Sequence, residues 1–308
     1  MVQTPPPAKA PTSTTAAFVA ALASYLIWGL VNPVFFKLLG NVGAVEIVAH
    51  RVIWTVVLVG VGVLVTRGPA AVVAAVGNWR RLGILVVTTL LVSVNWTVFI
   101  WAVVNSRLVE ASLGYFINPL VNVLLGVLFL HERLSRGRML AVAIAAAGVG
   151  SLVVSYGAVP WVALSLALSF GFYALVRKKA AIDPVIGLLV ETALLLPVAL
   201  GYLLWLGGGG TFGHEWGDSI LLVLAGPMTA VPLVLFMIGA SRLTMTTLGL
   251  LQYVGPTGQL LLGVLVYGEA FTQSHAITFA CIWVALAVFT ADAVHSHRSS
   301  TRTAAAAE

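Results

Sequence analysis

Apolar runs long enough to cross a bilayer recur along nearly the whole chain, and short polar breakers are all that separates them. They fall at roughly 17–37, 47–66, 82–103, 108–130, 138–156, 160–177, 184–206, 219–238, 244–267 and 274–294. A spanning helix needs about 20 predominantly apolar residues. The breakers are Arg67-Gly-Pro, Arg133 to Arg138, Gly157 to Pro160, Asp183-Pro184 and the Gly207–Gly210 run. The break inside 138–177 is thin, and ten is the expected count. Charged residues make up 8% of the 308 residues, against 60% hydrophobic, too few charges to coat a water-soluble globule. The remaining solvent is the bilayer, where helices satisfy their own backbone hydrogen bonds. Little chain is left between the runs, so any function has to sit among the helices. The ends, 1–16 and 295–308, read as disordered tails.

The charge balance supplies an orientation. With the N-terminus inside, the cytoplasmic side holds Lys9, Arg67, Arg80, Arg81, Arg133, Arg136, Arg138, Arg177, Lys178, Lys179, Arg242, Arg298 and Arg302, thirteen of the 16 cations. Lys37 and Arg107 face outward, and Arg51 lies within a run. This is the positive-inside pattern, and it places both termini in the cytoplasm. The net charge of +6 follows from that bias, so nucleic acid is not an expected partner. The expected partners are the lipid bilayer and a small solute; oligomeric state is not legible. The single cysteine, Cys281, rules out an internal disulfide and gives no support to a cysteine metal site.

The fourth and ninth runs are related. Pro119 to Glu132 can be laid on Pro256 to Glu269 without a gap, matching Pro119/Pro256, Gly126/Gly263, Glu132/Glu269 and several leucines and valines. Apolar matches between membrane helices are cheap, whereas Pro, Gly and Glu in fixed register are not. The halves 17–156 and 160–294 are therefore read as duplicated five-helix units. Five is odd, so the second unit enters upside down, giving the inverted-repeat architecture common among secondary transporters.

Four stretches carry a specific resemblance: Tyr25-Leu-Ile-Trp-Gly-Leu, Glu46-Ile-Val-Ala-His-Arg-Val-Ile-Trp54, Asn95-Trp96, and Glu110-Ala-Ser-Leu-Gly-Tyr-Phe-Ile-Asn-Pro-Leu-Val-Asn122. Over about residues 17 to 294 the chain resembles the RarD branch of the EamA-type transporters, within the drug/metabolite transporter superfamily. The resemblance implies an all-α integral membrane protein of ten helices, two EamA repeats and a multipass permease in the cytoplasmic membrane. Members often bear the label chloramphenicol-sensitive protein, which leaves the substrate undefined.

Polar residues at membrane depth cost free energy unless they face a bundle interior or a cavity. Tyr115, Pro119, Asn122 and Gly126 share one face of the fourth run, and Gln252, Pro256, Gln259 and Gly263 repeat that spacing on the ninth. Asn118 and Tyr253 adjoin these stripes. Two matching stripes are expected to face each other across a central pathway; interhelical hydrogen bonding is the plainer alternative. Pro119 and Pro256 each remove a backbone donor and are placed as helix-bending positions. Trp28 and Asn32, Asn95 and Trp96, and Tyr173 add candidate lining residues.

On the second run, Glu46, His50 and Trp54 lie along one face. Arg51 beside them is either an anion-binding or gating cation, or an interfacial anchor paired with Glu46. Glu191, well inside the seventh run, has no cation within a helical turn in sequence. It is read as a proton-coupling carboxylate, with an ion pair to Arg51 or Arg177 as the alternative. His50 is the second coupling candidate, because its intrinsic pKa lies near neutrality. Glu132 and Glu269 are expected in helix-end ion pairs, such as Glu132 with Arg136. No GxxxxGK[ST], GxSxG or HExxH pattern is present. The expectation is therefore no catalytic residue, no cofactor and no metal site, with energy drawn from a gradient. The competing readings are a non-transporting membrane sensor and an intramembrane enzyme; the second needs a ligand cluster or nucleophile–base pair at depth that the sequence does not show.

Overall fold

A computed structural model describes residues 14–131, 135–156, 159–180, 183–243 and 245–305. Within them the chain forms ten long helical segments, here counted first to tenth. They are Thr14–Leu38, Ala44–Arg67, Trp79–Val104, Leu108–Leu130, Arg136–Tyr156, Trp161–Ala180, Pro184–Leu206, Trp216–Ala240, Thr247–Val266 and Gln273–Ala305. Among the described residues, nine helices are long and apolar enough to cross a membrane, while the apolar part of the sixth, Trp161–Arg177, is shorter. Large apolar side chains point outward, including Val154 at 85% and Leu204 at 82% exposed. Such a surface suits lipid and not water. The protein is an all-α, multi-pass membrane protein.

The segments differ from the apolar runs in four places. A short helix, Pro69–Val76, follows the Arg67-Gly-Pro breaker, with proline in its first turn where no N–H is missed. The first segment widens into a π turn at Ile27–Val31, which changes the register between Trp28 and Asn32 from that of a regular α-helix. The ninth is broken: Met245–Leu251 ends, Tyr253 intervenes, and Val254–Leu261 continues into a π turn at Leu262–Val266. Pro256 has no N–H to give the Gln252 carbonyl, which accounts for an interruption one turn before the proline. Pro119 instead lies inside an uninterrupted fourth helix. The tenth helix continues to Ala305 through residues read as a tail. The first tail falls almost entirely outside the described residues.

Packing follows a definite scheme. The second segment packs on the seventh and eighth, the third on the sixth and seventh, and the first on the eighth and ninth. The fourth packs on the sixth and ninth, and the fifth on the tenth. One core joins Phe35, Phe36, Ile47, Ile100, Leu166 and Leu222; another joins Leu113, Phe116, Ala141, Leu260, Phe279 and Ile282. At two glycines the backbone of another segment comes close. A methyl group at Gly29 would lie 2.6 Å from the Gly255 carbonyl, and one at Gly226 would lie 2.6 Å from the Trp54 carbonyl carbon. Small residues that let backbones touch replace the hydrophobic drive that lipid removes.

The two ends are fastened differently. At one, Arg67 pairs with Asp183, and Asp292 receives Ser135 and Arg138. At the other, the Glu269 carboxylate accepts the N–H groups of Leu108 and Val109, each at 2.8 Å. That is an anion on the positive end of the fourth helix and not the ion pair expected of Glu269; Glu132 lies outside the described residues.

Candidate functional site

The buried polar side chains gather on the third and sixth segments. Thr88 and Asn95 are seven apart on one, and Ser169, Tyr173 and Arg177 are four apart on the other, so each set shares a face of its helix. Asn95, 4% exposed, donates to Ser169 Oγ at 3.1 Å and to the Leu166 carbonyl at 3.2 Å. Its Oδ1 accepts the Tyr115 hydroxyl at 3.2 Å. Tyr115 packs edge-on against Phe99 and Phe170, and Phe170 stacks on Tyr173. A polar and aromatic track thus runs through the interior from Tyr173 to Asn95, with charged groups at either end.

At one end, Glu191 is fully buried on the seventh segment. It accepts Thr88 Oγ1 at 2.7 Å and the Tyr173 hydroxyl at 3.2 Å, while Arg177 Nη1 stands 3.7 Å from Oε1. The carboxylate is therefore paired, and the Arg177 alternative describes it. No cation on its own helix announced this, because Arg177 comes from the preceding segment running the other way. Thr88 carried no signal in the sequence beyond its spacing from Asn95.

At the other end, Arg51 is 6% exposed on the second segment. Its Nε donates to Thr229 Oγ1 at 2.7 Å, and the guanidinium lies 4.1 Å from the Trp96 ring centroid and 5.6 Å from that of Phe36. It is within electrostatic reach of the Tyr115 hydroxyl. Arginine carries five N–H donors. Only Nε–H finds an acceptor among the described residues, and no carboxylate there lies within ion-pair distance of the guanidinium.

Glu46 is not its partner. That carboxylate accepts the Thr211 N–H at 2.6 Å and the Thr211 hydroxyl at 3.3 Å, so it holds the loop between the seventh and eighth segments. Beside it, His50 stacks on Phe212 at 4.7 Å. Among the described residues neither His50 nitrogen has a hydrogen-bond partner, and the buried Trp54 Nε1 and Thr55 Oγ1, on the same stretch of helix, also lack one there. A cation–π contact contributes about 0.5–2 kcal/mol, whereas desolvating an ion costs several kcal/mol. Arg51 and its neighbours form an unfinished electrostatic arrangement.

The two polar stripes are not joined to each other by any hydrogen bond or ring contact among the described residues. Asn118 donates to the Ala167 carbonyl on the sixth segment at 3.1 Å and accepts from Asn122 at 3.1 Å. Gln259 donates to the Trp28 carbonyl on the first at 3.3 Å, with its Oε1 buried and without a partner among the described residues. Asn32 donates to Met228 O at 3.4 Å. Tyr253 stacks on Phe116, and Gln252 sits at the break of the ninth segment. Asn118 and Gln259 thus bond to neighbouring helices, while Asn122 remains exposed. Thr229, Ser169 and Phe212, each central to these contacts, went unnoticed in the sequence. Among the described residues, no three His, Cys, Asp or Glu side chains converge to hold a metal ion.

Helices crossing a membrane around a buried polar interior define a class, the multi-pass transport protein, and the comparisons give the family. Residues 15–154 match the EamA-like transporter family. An uncharacterized transporter of Vibrio cholerae is 48% identical over 92% of this chain and 94% of its own length. Protein RarD of Escherichia coli K12 is 44% identical over 92% and 96%. A chloramphenicol-sensitive protein RarD of Pseudomonas aeruginosa is 35% identical over 82% and 87%. The chain belongs to the EamA-like transporter family, in its RarD branch. A solved structure at 21% identity, covering 90% of this chain and 97% of that one with a TM-score of 0.54, shares the fold.

Proposed function

We propose that the protein is a permease of the cytoplasmic membrane that moves a small organic solute by alternating access, driven by an ion gradient. The observation that carries this is the interior track from Glu191 through Asn95 to Arg51, to which both halves of the chain contribute buried polar groups. Polar and ionisable groups at membrane depth mark solute or ion routes.

The packing scheme supports two inverted five-helix repeats, 17–156 and 160–294. Advance every segment by five, and each pairing becomes another that is present. First–eighth becomes third–sixth, first–ninth becomes fourth–sixth, and second–eighth becomes third–seventh. Second–seventh, fourth–ninth and fifth–tenth map onto themselves. In this reading both termini are cytoplasmic, and Glu191 and Arg51 lie in opposite halves of the membrane. Cysteines at Arg136 and Lys179 should label from the cytoplasm and one at Thr211 from outside.

Coupling is assigned to Glu191, with His50 second. A proton on Glu191 removes its attraction for Arg177, so the two protonation states prefer different arrangements of the third, sixth and seventh segments. A gradient does work only through such differential preference. The other candidate residues, Trp28, Asn32, Trp96, Tyr115, Asn118, Asn122, Tyr173, Gln252, Tyr253 and Gln259, line or support the route, and Pro256 lets the ninth segment bend. Counterflow into proteoliposomes, screened over amino acids, nucleosides and amphipathic drugs, tests the reading. Protein-dependent exchange of at least one solute is expected; flux no greater than in empty vesicles across the panel would overturn it.

A further inference from the structure

We infer that the solute is an organic monoanion, a carboxylate on an apolar or aromatic body without an amine, and that Arg51 binds its carboxylate. The inference rests on the transporter reading and names the substrate class of the same interior.

The guanidinium is buried, charged and without an acidic partner among the described residues, and its terminal nitrogens take no hydrogen bond there. A planar fork with free parallel donors matches a carboxylate bidentately. Thr229 fixes the fork through Nε, and Trp96 covers one side at 4.1 Å, so its orientation is set before a ligand arrives. Trp54 and Thr55, three and four residues on and hence on the Arg51 side of the helix, bring two further buried groups able to donate hydrogen bonds, both without a partner among the described residues. A cation ringed by idle donors is built for an oxyanion.

The charge count narrows the class. Lys37 is engaged at the segment end with the Val103 carbonyl and Ser106, and Arg177 faces Glu191. One cation suits a single negative charge better than a phosphate dianion. Each nearby acid is also committed: Glu46 to Thr211, Asp218 to Asn41, and Glu191 to Thr88, Tyr173 and Arg177. An ammonium group would have to compete for carboxylates whose oxygens already hold these partners, which disfavours amino acids. Trp96 and Phe36 against the guanidinium provide an apolar wall for the rest of the solute.

The test uses the purified full chain in lipid nanodiscs, following thermal unfolding with benzoate, phenylacetate and indole-3-acetate as probes. Phenylacetamide and phenethylamine serve as neutral and cationic twins. At least one acid should stabilise the protein, with both twins at least tenfold weaker. Arg51→Gln should weaken that acid tenfold or more and Arg51→Lys less, while Trp96→Leu and Thr229→Val each weaken it several-fold. The last two keep the test open should Arg51→Gln fail to fold. Stabilisation by the amide equal to that by the acid, unchanged binding in Arg51→Gln, or no response to any acid would overturn the inference. Flux of neutral solutes without acid binding would defeat this inference alone; acid binding without flux would defeat the transporter reading alone.

Discussion

Glu191 and Arg51 are both buried charges on membrane-spanning helices, yet their surroundings are opposite. Glu191 has two hydroxyl donors and a guanidinium around it, all from other helices. Among the described residues, Arg51 has one acceptor and two aromatic rings. A satisfied charge rigidifies the helices that supply its partners; an unsatisfied one keeps its capacity for something not yet bound. In the proposed reading, that contrast gives Glu191 to the conformational machinery and Arg51 to recognition.

The largest effect should come from removing the satisfied charge. Glu191→Ala strands Arg177 in a low-dielectric setting and should cost about 3–5 kcal/mol, read as a fall in unfolding temperature. Adding Arg177→Gln should recover much of it. An unchanged unfolding temperature in the single variant would erase the distinction between the two sites.

Asp183 gives an intermediate case, a charged pair at the surface. It caps the seventh helix through the Val185 and Ile186 N–H groups and meets Arg67. Partial burial pushes its carboxyl upward, but the Ile186 bond, the Arg67 bond and charge and the Val185 bond outweigh this and hold it below the ordinary aspartate value. The depressed folded value means that its stabilisation is present above the ordinary aspartate range and is lost as pH falls through the folded value. Asp183→Ala should cost about 1 kcal/mol, the usual worth of an N-cap, with the deficit vanishing in acid. A deficit independent of pH would remove the carboxylate from that account.

The smallest effect on stability belongs to Arg51. Replacing an unpartnered cation by Arg51→Gln should change stability by no more than about 1 kcal/mol, or raise it, since it relieves desolvation without stranding a partner. A loss as large as that of Glu191→Ala would mean that Arg51 is structural.

Much of this was legible in the sequence, for reasons of range. Span length and apolarity are local, so the all-α membrane class could be read directly. Arg51, Asn95, Trp96, Tyr115 and Glu191 stood out because polar groups at depth need a reason. What stayed hidden depends on which helix lies beside which. The sequence offers Arg177 for Glu191 only as one alternative beside Arg51, and Thr229 reaches Arg51 from 178 residues away. Thr88, Ser169 and Thr229 are small hydroxyl residues that membrane helices carry freely, bonding their own backbone. For Thr88 and Ser169 the spacing from Asn95 and Tyr173 was the available clue; Thr229 offered none. The Glu269 position suggests an ion pair, but its partners are the backbone N–H groups of Leu108 and Val109, which no sequence displays.

The most direct measurement of the central claim is solute accumulation in proteoliposomes under an imposed pH gradient, comparing wild type with Glu191→Gln. Glutamine keeps a carbonyl oxygen for Thr88 and Tyr173 but takes no proton. The account predicts gradient-driven accumulation by wild type, and in Glu191→Gln exchange at zero gradient without any response to the gradient. A full gradient response in Glu191→Gln, or wild-type flux indifferent to pH from the start, would contradict it.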